Sequence, residues 1–177
     1  MEINLNDKYT LNEGVRFLTG TQALVRLPLV QIRRDKRNKL NTACYISGYR
    51  GSPLGGYDQQ ILKNIDYLIM NEVEAAFLGA ARNLTNLNSL ASIWSQQKQL
   101  VMIVTQGKDG GVLALNGAVS HFSAPKVDAI DSTAAGDTFI GYLAAGIISK
   151  EFDIETAIEI ACKAASICCT RHGSQPS

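Results

Sequence analysis

Long apolar runs are missing from this chain of 177 residues. None approaches the roughly 18–20 residues that a bilayer crossing needs. The longest candidate, residues 139–148, holds two glycines and reads as a buried helix. The first eight residues, Met1 to Lys8, lack the basic flank and apolar stretch of a secretory signal. The four cysteines (Cys44, Cys162, Cys168, Cys169) show neither a disulfide framework nor a C-x-x-C metal spacing. Adjacent Cys168 and Cys169 sit in an Ala-rich helical pattern and read as small packing residues. A reducing cytoplasm fits these absences. Repeats and low-complexity segments are also lacking. With 46% hydrophobic and 19% charged residues, the composition excludes a disordered or collagen-like chain.

Net charge is scarce too, at +1, which gives no strong attraction for nucleic acid or membrane. That average conceals an asymmetry. Residues 1–63 carry +5 and residues 64–177 carry −4, a basic head on an acidic body. The step in charge is a first sign of two origins.

In the head, residues 11–40 mix apolar and basic positions around Pro28. They predict a helix or helix pair ending in Arg33-Arg34-Asp35-Lys36-Arg37-Asn38-Lys39. Nucleic-acid binding there would call for interleaved aromatics, which are missing. A solvated helix end is the better expectation, because cations favour a helix C-terminus. Thr42-Ala43-Cys44-Tyr45-Ile46-Ser47 predicts a short buried strand entering a glycine-rich loop over residues 48–58.

From Ile65 onward strands and helices alternate. Strands are expected over 66–70 and 100–105, with helices over 75–79 and 87–97. Gln106-Gly107-Lys108-Asp109-Gly110-Gly111 is a turn by composition. Residues 112–115 and 119–123 predict a hairpin around Asn116-Gly117. A small-residue helix is expected over 135–149. Asp153 caps a last helix over 154–170, whose apolar positions recur at helical spacing.

One stretch carries chemistry: Asp131-Ser132-Thr133-Ala134-Ala135-Gly136-Asp137-Thr138-Phe139. A polar, small-residue turn runs straight into an apolar helix. Small residues let backbone N–H groups approach a ligand closely, and a helix start favours an anion such as phosphate. Asp137 in that first turn is placed to accept a proton from an attacking hydroxyl. The competing reading is an Ala/Gly packing turn in which Asp137 only stabilises the helix start. Residues 106–111 are not a Walker A loop, since Lys108 is followed by Asp109 rather than Ser or Thr.

The same stretch resembles the signature of the ribokinase-like sugar kinases (the PfkB carbohydrate kinase family), Asp-Thr-x-Ala/Gly-Ala-Gly-Asp-x-Phe. Three further segments resemble that family in the expected order. Asn71-Glu72-Val73-Glu74 is similar to its N-x-x-E step, which helps organise metal and phosphates. Thr105-Gln106-Gly107-Lys108-Asp109-Gly110 is similar to the loop that receives the nucleotide. Thr170-Arg171-His172-Gly173-Ser174-Gln175-Pro176-Ser177 is similar to the segment that closes over adenine and a monovalent-cation site; His172 itself reads as a loop residue. The resemblance implies an α/β fold, part of a three-layer α/β/α domain over residues 63–177, preceded by a helix-strand-loop piece. It implies Asp137 as catalytic base, with the Ala135, Gly136 and Asp137 amides as anion hole. Asn71, Glu74, Thr105, Gln106, Gly107, Lys108, Asp109 and Gly110 would contact ATP, with Mg2+ on its phosphates. Asp131, Thr133, Cys168, Arg171, Gly173 and Ser177 would surround a potassium-like ion, mostly through carbonyl oxygens. Taken alone, Asn71 and Glu74 could equally start a helix, and residues 105–110 could be an ordinary strand exit.

Residues 9–60, centred on Tyr45-Ile46-Ser47-Gly48-Tyr49-Arg50-Gly51-Ser52-Pro53-Leu54-Gly55-Gly56, resemble the N-terminus of indolepyruvate ferredoxin oxidoreductases. Those enzymes use thiamine diphosphate and iron–sulfur clusters. The diphosphate-binding Gly-Asp-Gly…Asn pattern is missing here, as is a cysteine set for clusters, so no thiamine catalysis is expected. The kinase-like part matches only a C-terminal half, without the family's N-terminal sugar-binding strands and lid. The sequence therefore predicts a chimera or truncated frame, joined within residues 60–65. The expected function is ATP-dependent phosphoryl transfer to a sugar hydroxyl, impaired by truncation. The alternatives are a non-catalytic nucleotide-binding remnant, a thiamine-dependent oxidoreductase fragment, or a chain whose open apolar sheet edge prevents folding alone.

Overall fold

In the computed structural model, residues 7–46, 61–80 and 84–173 are described. They divide into two units, Met1–Ile65 and Asp66–Ser177.

The second unit is built on its β-branched runs. Val101, Ile103 and Val104 suit a pleated, buried surface. They form β2 (Val101–Thr105), which pairs in parallel with β1 (Tyr67–Asn71). On its other side β2 runs antiparallel to β3 (Gly111–Leu115), which pairs antiparallel with β4 (Ala118–Phe122). The sheet is mixed, in the order β1-β2-β3-β4. Asn116 and Gly117 turn the β3–β4 hairpin with φ of 50° and 87°. Both values are positive, as the two-residue turns that match strand twist require.

Helices cover both faces. Along β2, side chains alternate between faces, yet Met102, Ile103 and Val104 are all fully buried. Ile103 and Leu113 pack against α5 (Ala135–Ser149) and α6 (Ile154–Cys169) through Phe139, Leu143, Ile158 and Ala161. Gly146 lets these helices approach closely; a Cβ there would lie 2.9 Å from the Ala157 Cβ. Met102 and Val104 face the other way. On that side α4 (Leu87–Lys98) contacts β2, β3 and β4 and buries Leu90, Ala91 and Trp94. Ser92 Oγ donates to the Gly117 carbonyl at 2.6 Å, and the Gly117 N–H donates to Ser95 Oγ at 3.0 Å. These two bonds lock α4 to the hairpin turn. The expected buried helix over 139–148 is buried on one face only: Leu143 is fully enclosed, whereas Tyr142 is exposed.

Helix starts follow their caps. Asp153 accepts from the Thr156 N–H at 2.8 Å and Asn86 from the Ser89 N–H at 3.0 Å. The helix expected over 75–79 is α3 (Glu72–Ala80), three residues earlier, because Asn71 and Glu74 cap it reciprocally. β1 lies at one end of the sheet order, with its far edge unpaired among the described residues.

In the first unit, α1 (Asp7–Thr10) precedes α2 (Gly20–Arg37). Thr19 and Gln22 form a capping box that opens α2, and Pro28 lies inside the helix without ending it. Arg34, Lys36 and Arg37 stand exposed in its last turn, the solvated basic end expected. The strand expected over 42–47 is not formed. Residues 42–46 have no regular structure and no strand partner among the described residues, while Ser47 lies outside them. The glycine-rich loop 48–58 also lies outside the described residues.

The cysteines are all free thiols; Cys44 is exposed, and Cys162 and Cys168 are buried. Burial, and secondarily Glu159, pushes the Cys162 thiol up to about 11. A thiol reagent at pH 8 is therefore expected to label Cys44 first and Cys162 only on unfolding. Rapid labelling of Cys162 in the folded chain would contradict this packing.

Candidate functional site

Asn71, Thr105, the turn after it and, through Phe139, the start of α5 lie at one end of the sheet, where β1 and β2 finish. In the parallel register Asn71 stands beside Thr105, and Thr105 pairs across with Gly111. Gly111 in turn pairs with Phe122, whose ring stacks on Phe139 at 6.3 Å between centroids. Phe139 lies two positions beyond Asp137 near the start of α5. The Gln106–Gly110 turn and the α5 N-terminus thus flank the same sheet end. In open α/β sheets, the carboxyl ends of parallel strands are where ligands bind.

The turn leaves β2 through a short 3-10 segment, Gly107–Asp109. The Gln106 N–H donates to the Gly110 carbonyl at 2.8 Å and closes it. Gly110 has φ of 90°, and a Cβ there would lie 2.0 Å from the Phe122 carbonyl oxygen. Gly107, at φ of 56°, faces open space instead. Nearby, Glu72, Ala76, Leu84, Asn86 and Gln106 line a cavity of about 210 Å³. Asn86, not among the expected site residues, is the N-cap of α4, and an Asn three residues before Ser89 at the head of an apolar helix is the signal for it.

Asn71 and Glu74 act on each other. The Asn71 N–H donates to Glu74 Oε2 and the Glu74 N–H to Asn71 Oδ1, both at 2.9 Å. Their side chains are committed to starting α3, at the very edge where β1 ends.

At α5, Ala134 takes the left-handed conformation (φ of 62°) and no side chain caps the helix. The first intrahelical bond runs from the Thr138 N–H to the Ala134 carbonyl. Amides before it have no intrahelical acceptor. That of Ala135 donates to the Ser132 carbonyl at 3.2 Å, which leaves the Gly136 and Asp137 amides without a backbone acceptor among the described residues. Space around Gly136 is open, with nothing within 4 Å of a Cβ position, and Asp137 is exposed. A helix start with bare amides and no side chain above it fits an incoming phosphate.

Asp131 holds this turn to the chain after α6. Its Oδ1 accepts from the Thr133 N–H and its Oδ2 from the Gly173 N–H, both at 2.9 Å. The Asp131 and Ile130 amides bond to the Cys169 carbonyl, and the Cys168 thiol donates to the Thr133 carbonyl at 3.6 Å. Asp131, Thr133, Cys168 and Gly173 are thereby gathered. Arg171 follows one turn on, its N–H bonded to the Cys168 carbonyl; Ser177 lies outside the described residues. Hydrogen bonds from Thr133 and Gly173 hold the Asp131 carboxyl down at about 2, below its ordinary 3.8. A depressed carboxylate stabilises above the unfolded value and loses that contribution as pH falls through the folded one. The Asp131 tether is therefore intact above about pH 4 and released towards pH 2, and Asp131→Asn should remove acid sensitivity from that window. Amide-exchange protection at Gly173, followed against pH in both chains, checks it.

The model of the pfkB family carbohydrate kinases matches residues 31–177. Ribokinase of Staphylococcus aureus (strain COL) is 33% identical over 129 residues, covering 71% of this chain and 42% of that protein. Fructokinase of Klebsiella pneumoniae is 38% identical over 82 residues, 46% of this chain and 26% of that protein. The crystal structure of Thermotoga maritima ribokinase superposes with a TM-score of 0.64 at 28% identity, covering 85% of this chain and 50% of that one. The chain spans half or less of the length of these relatives. Its fold is the α/β fold of ribokinases, present in part, and the chain belongs to the pfkB family of carbohydrate kinases.

Proposed function

We propose that this chain carries the nucleotide-binding and catalytic-base part of an ATP-dependent carbohydrate kinase, and that it turns over slowly by itself. The observation that carries this is the shared sheet end of the bare α5 N-terminus, Asp137 and the loop after β2. In this reading the Gly136 and Asp137 amides hydrogen-bond the transferring phosphoryl group. The Asp137 carboxylate takes the proton of the sugar hydroxyl as its oxygen bonds to the γ-phosphorus and the bond to ADP breaks. Residues 105–110 form a glycine-bearing wall against which the nucleotide lies. Magnesium on the phosphates supplies charge neutralisation. Its ligands would come chiefly from the nucleotide, since Asn71 and Glu74 hold each other.

A monovalent cation beside the turn belongs to the same proposal, held by carbonyl oxygens around Thr133 and Cys168. The Asp131 carboxylate is already occupied by two N–H donors and would act only as a nearby charge. Four free thiols suit a cytoplasmic setting. Positioning two substrates accounts for much of kinase catalysis, which is why half of the family's length should turn over slowly.

Phosphotransfer from labelled ATP over a panel of aldoses and ketoses, beside calorimetric ATP titration, tests the reading. Sugar-dependent ADP release supports the kinase. ATP binding without transfer to any sugar would instead make the chain a nucleotide-binding remnant.

The likeness of residues 9–60 to an indolepyruvate ferredoxin oxidoreductase, and a chimeric origin, stands as a separate proposal. The charge step favours it; the family match beginning at residue 31 runs against it. Titration with thiamine diphosphate is expected to give no binding heat.

A further inference from the structure

In the first unit we infer an oxyanion site for a phosphate group, formed by Arg16, Arg26 and Arg33 beside α2. These three arginines are half-buried, unlike the exposed Arg34 and Arg37. Arg26 and Arg33 lie seven positions apart, two turns along one face of α2. Arg26 spends its guanidinium on main-chain carbonyls: Nη1 on Lys8 at 2.6 Å and Nη2 on Leu11 at 2.7 Å. Arg16 uses its two terminal nitrogens in the same way, on Gly14 and Glu13. What is left over is specific. Arg16 Nε, Arg33 Nε and Arg33 Nη2 are shielded from solvent and have no hydrogen-bond partner among the described residues.

None of the three arginines forms an ion pair among the described residues, where the pair recorded is Lys163–Glu159. Carbonyl acceptors satisfy N–H groups without cancelling charge, so among the described residues three cations stay unneutralised together. Burial first, then the charges of Arg16 and Arg33, hold the Arg26 guanidinium below its usual range. Shielded N–H donors without acceptors are costly, and they call for a group rich in acceptor oxygens. A phosphate dianion offers several such oxygens and charge to offset more than one guanidinium. The Nε and Nη2 edge of Arg33 is a two-donor fork of the kind that holds oxyanions bidentately. A free phosphate ion and a phosphate ester share this chemistry. The site lies apart in sequence from the residues assigned to the kinase reaction, so its failure leaves that reading untouched.

The test is titration of the full chain, with arginine Nε labelled, by inorganic phosphate and separately by a hexose monophosphate at fixed ionic strength. The Nε–H resonances of Arg16 and Arg33 should move together and saturate. The titrant that saturates them at the lower concentration identifies the source. Arg33→Lys keeps the charge and removes the fork, and should weaken binding at least about tenfold; Arg34→Lys on the exposed side should leave it unchanged. Resonances that do not saturate, or equal weakening by Arg34→Lys, would overturn the site. Should Arg33→Lys fail to fold, the wild-type resonances decide alone.

Discussion

Replacing Asp137 by Asn is expected to lower phosphoryl transfer at least about 100-fold, within the range that a positioned general base contributes. The residue sits in the first turn of α5 and is exposed, so its side chain carries no packing. Asn keeps the shape and the backbone N–H, and with it the proposed phosphate contact. It loses the ability to take up a proton. Loss of the carboxylate beside the helix start should cost under about 1 kcal/mol of stability. Nucleotide affinity should stay level or rise slightly, because a negative charge near the phosphates has gone. The signature is a collapse of the single-turnover rate with an ATP Kd that hardly moves. Transfer at the wild-type rate would remove Asp137 as base and return the turn to a packing role. Loss of ATP binding instead would mean that the side chain is structural.

The second large effect is on stability. Gly110→Ala should cost at least about 3 kcal/mol, the scale of a forced left-handed residue combined with a backbone collision. The new Cβ would sit 2.0 Å from the Phe122 carbonyl oxygen and 2.7 Å from the Ser123 Cα. Both are backbone atoms and cannot swing aside. Relief would require β4 to separate from β3 at Gly111–Phe122, the pair that also carries the Phe122–Phe139 stack. Gly107→Ala is the control. It shares a positive φ, of 56°, but meets nothing within 4 Å, so only about 1 kcal/mol of backbone strain is expected. Urea unfolding of the two variants separates collision from strain. Equal losses would show that the β4 contact is not what restricts Gly110.

Local rules accounted for much of the second unit. Asn116-Gly117 allowed positive φ at two successive positions, so the hairpin could be read from two residues. Asp153 marked the start of α6 because a short side-chain acceptor satisfies an orphan amide wherever the rest of the fold lies. The apolar run ending at Thr105 could become a central strand because both of its faces are covered. The same logic failed at residues 42–46, where an apolar stretch has no strand partner among the described residues. A strand is a pairing, and composition does not supply the partner. It also missed the start of α3, since Asn71 and Glu74 spend their polar groups on each other and carry the helix back to Glu72.

The sequence by itself determined the order of strands and helices after Ile65, the turn at Asn116-Gly117, the cap at Asp153, and a small-residue helix start carrying Asp137. Each rests on backbone geometry or hydrogen bonding within a few residues. Tertiary structure alone decided which of these meet. Asp137 reaches the sheet end of the Gln106–Gly110 turn because Phe139 stacks on Phe122 and the β2-β3-β4 register carries that contact across the sheet. Asp131 meets Gly173 across 42 positions because α6 runs back to the turn that precedes α5. Contacts between residues so far apart depend on how whole elements pack, and no local pattern of side chains encodes that.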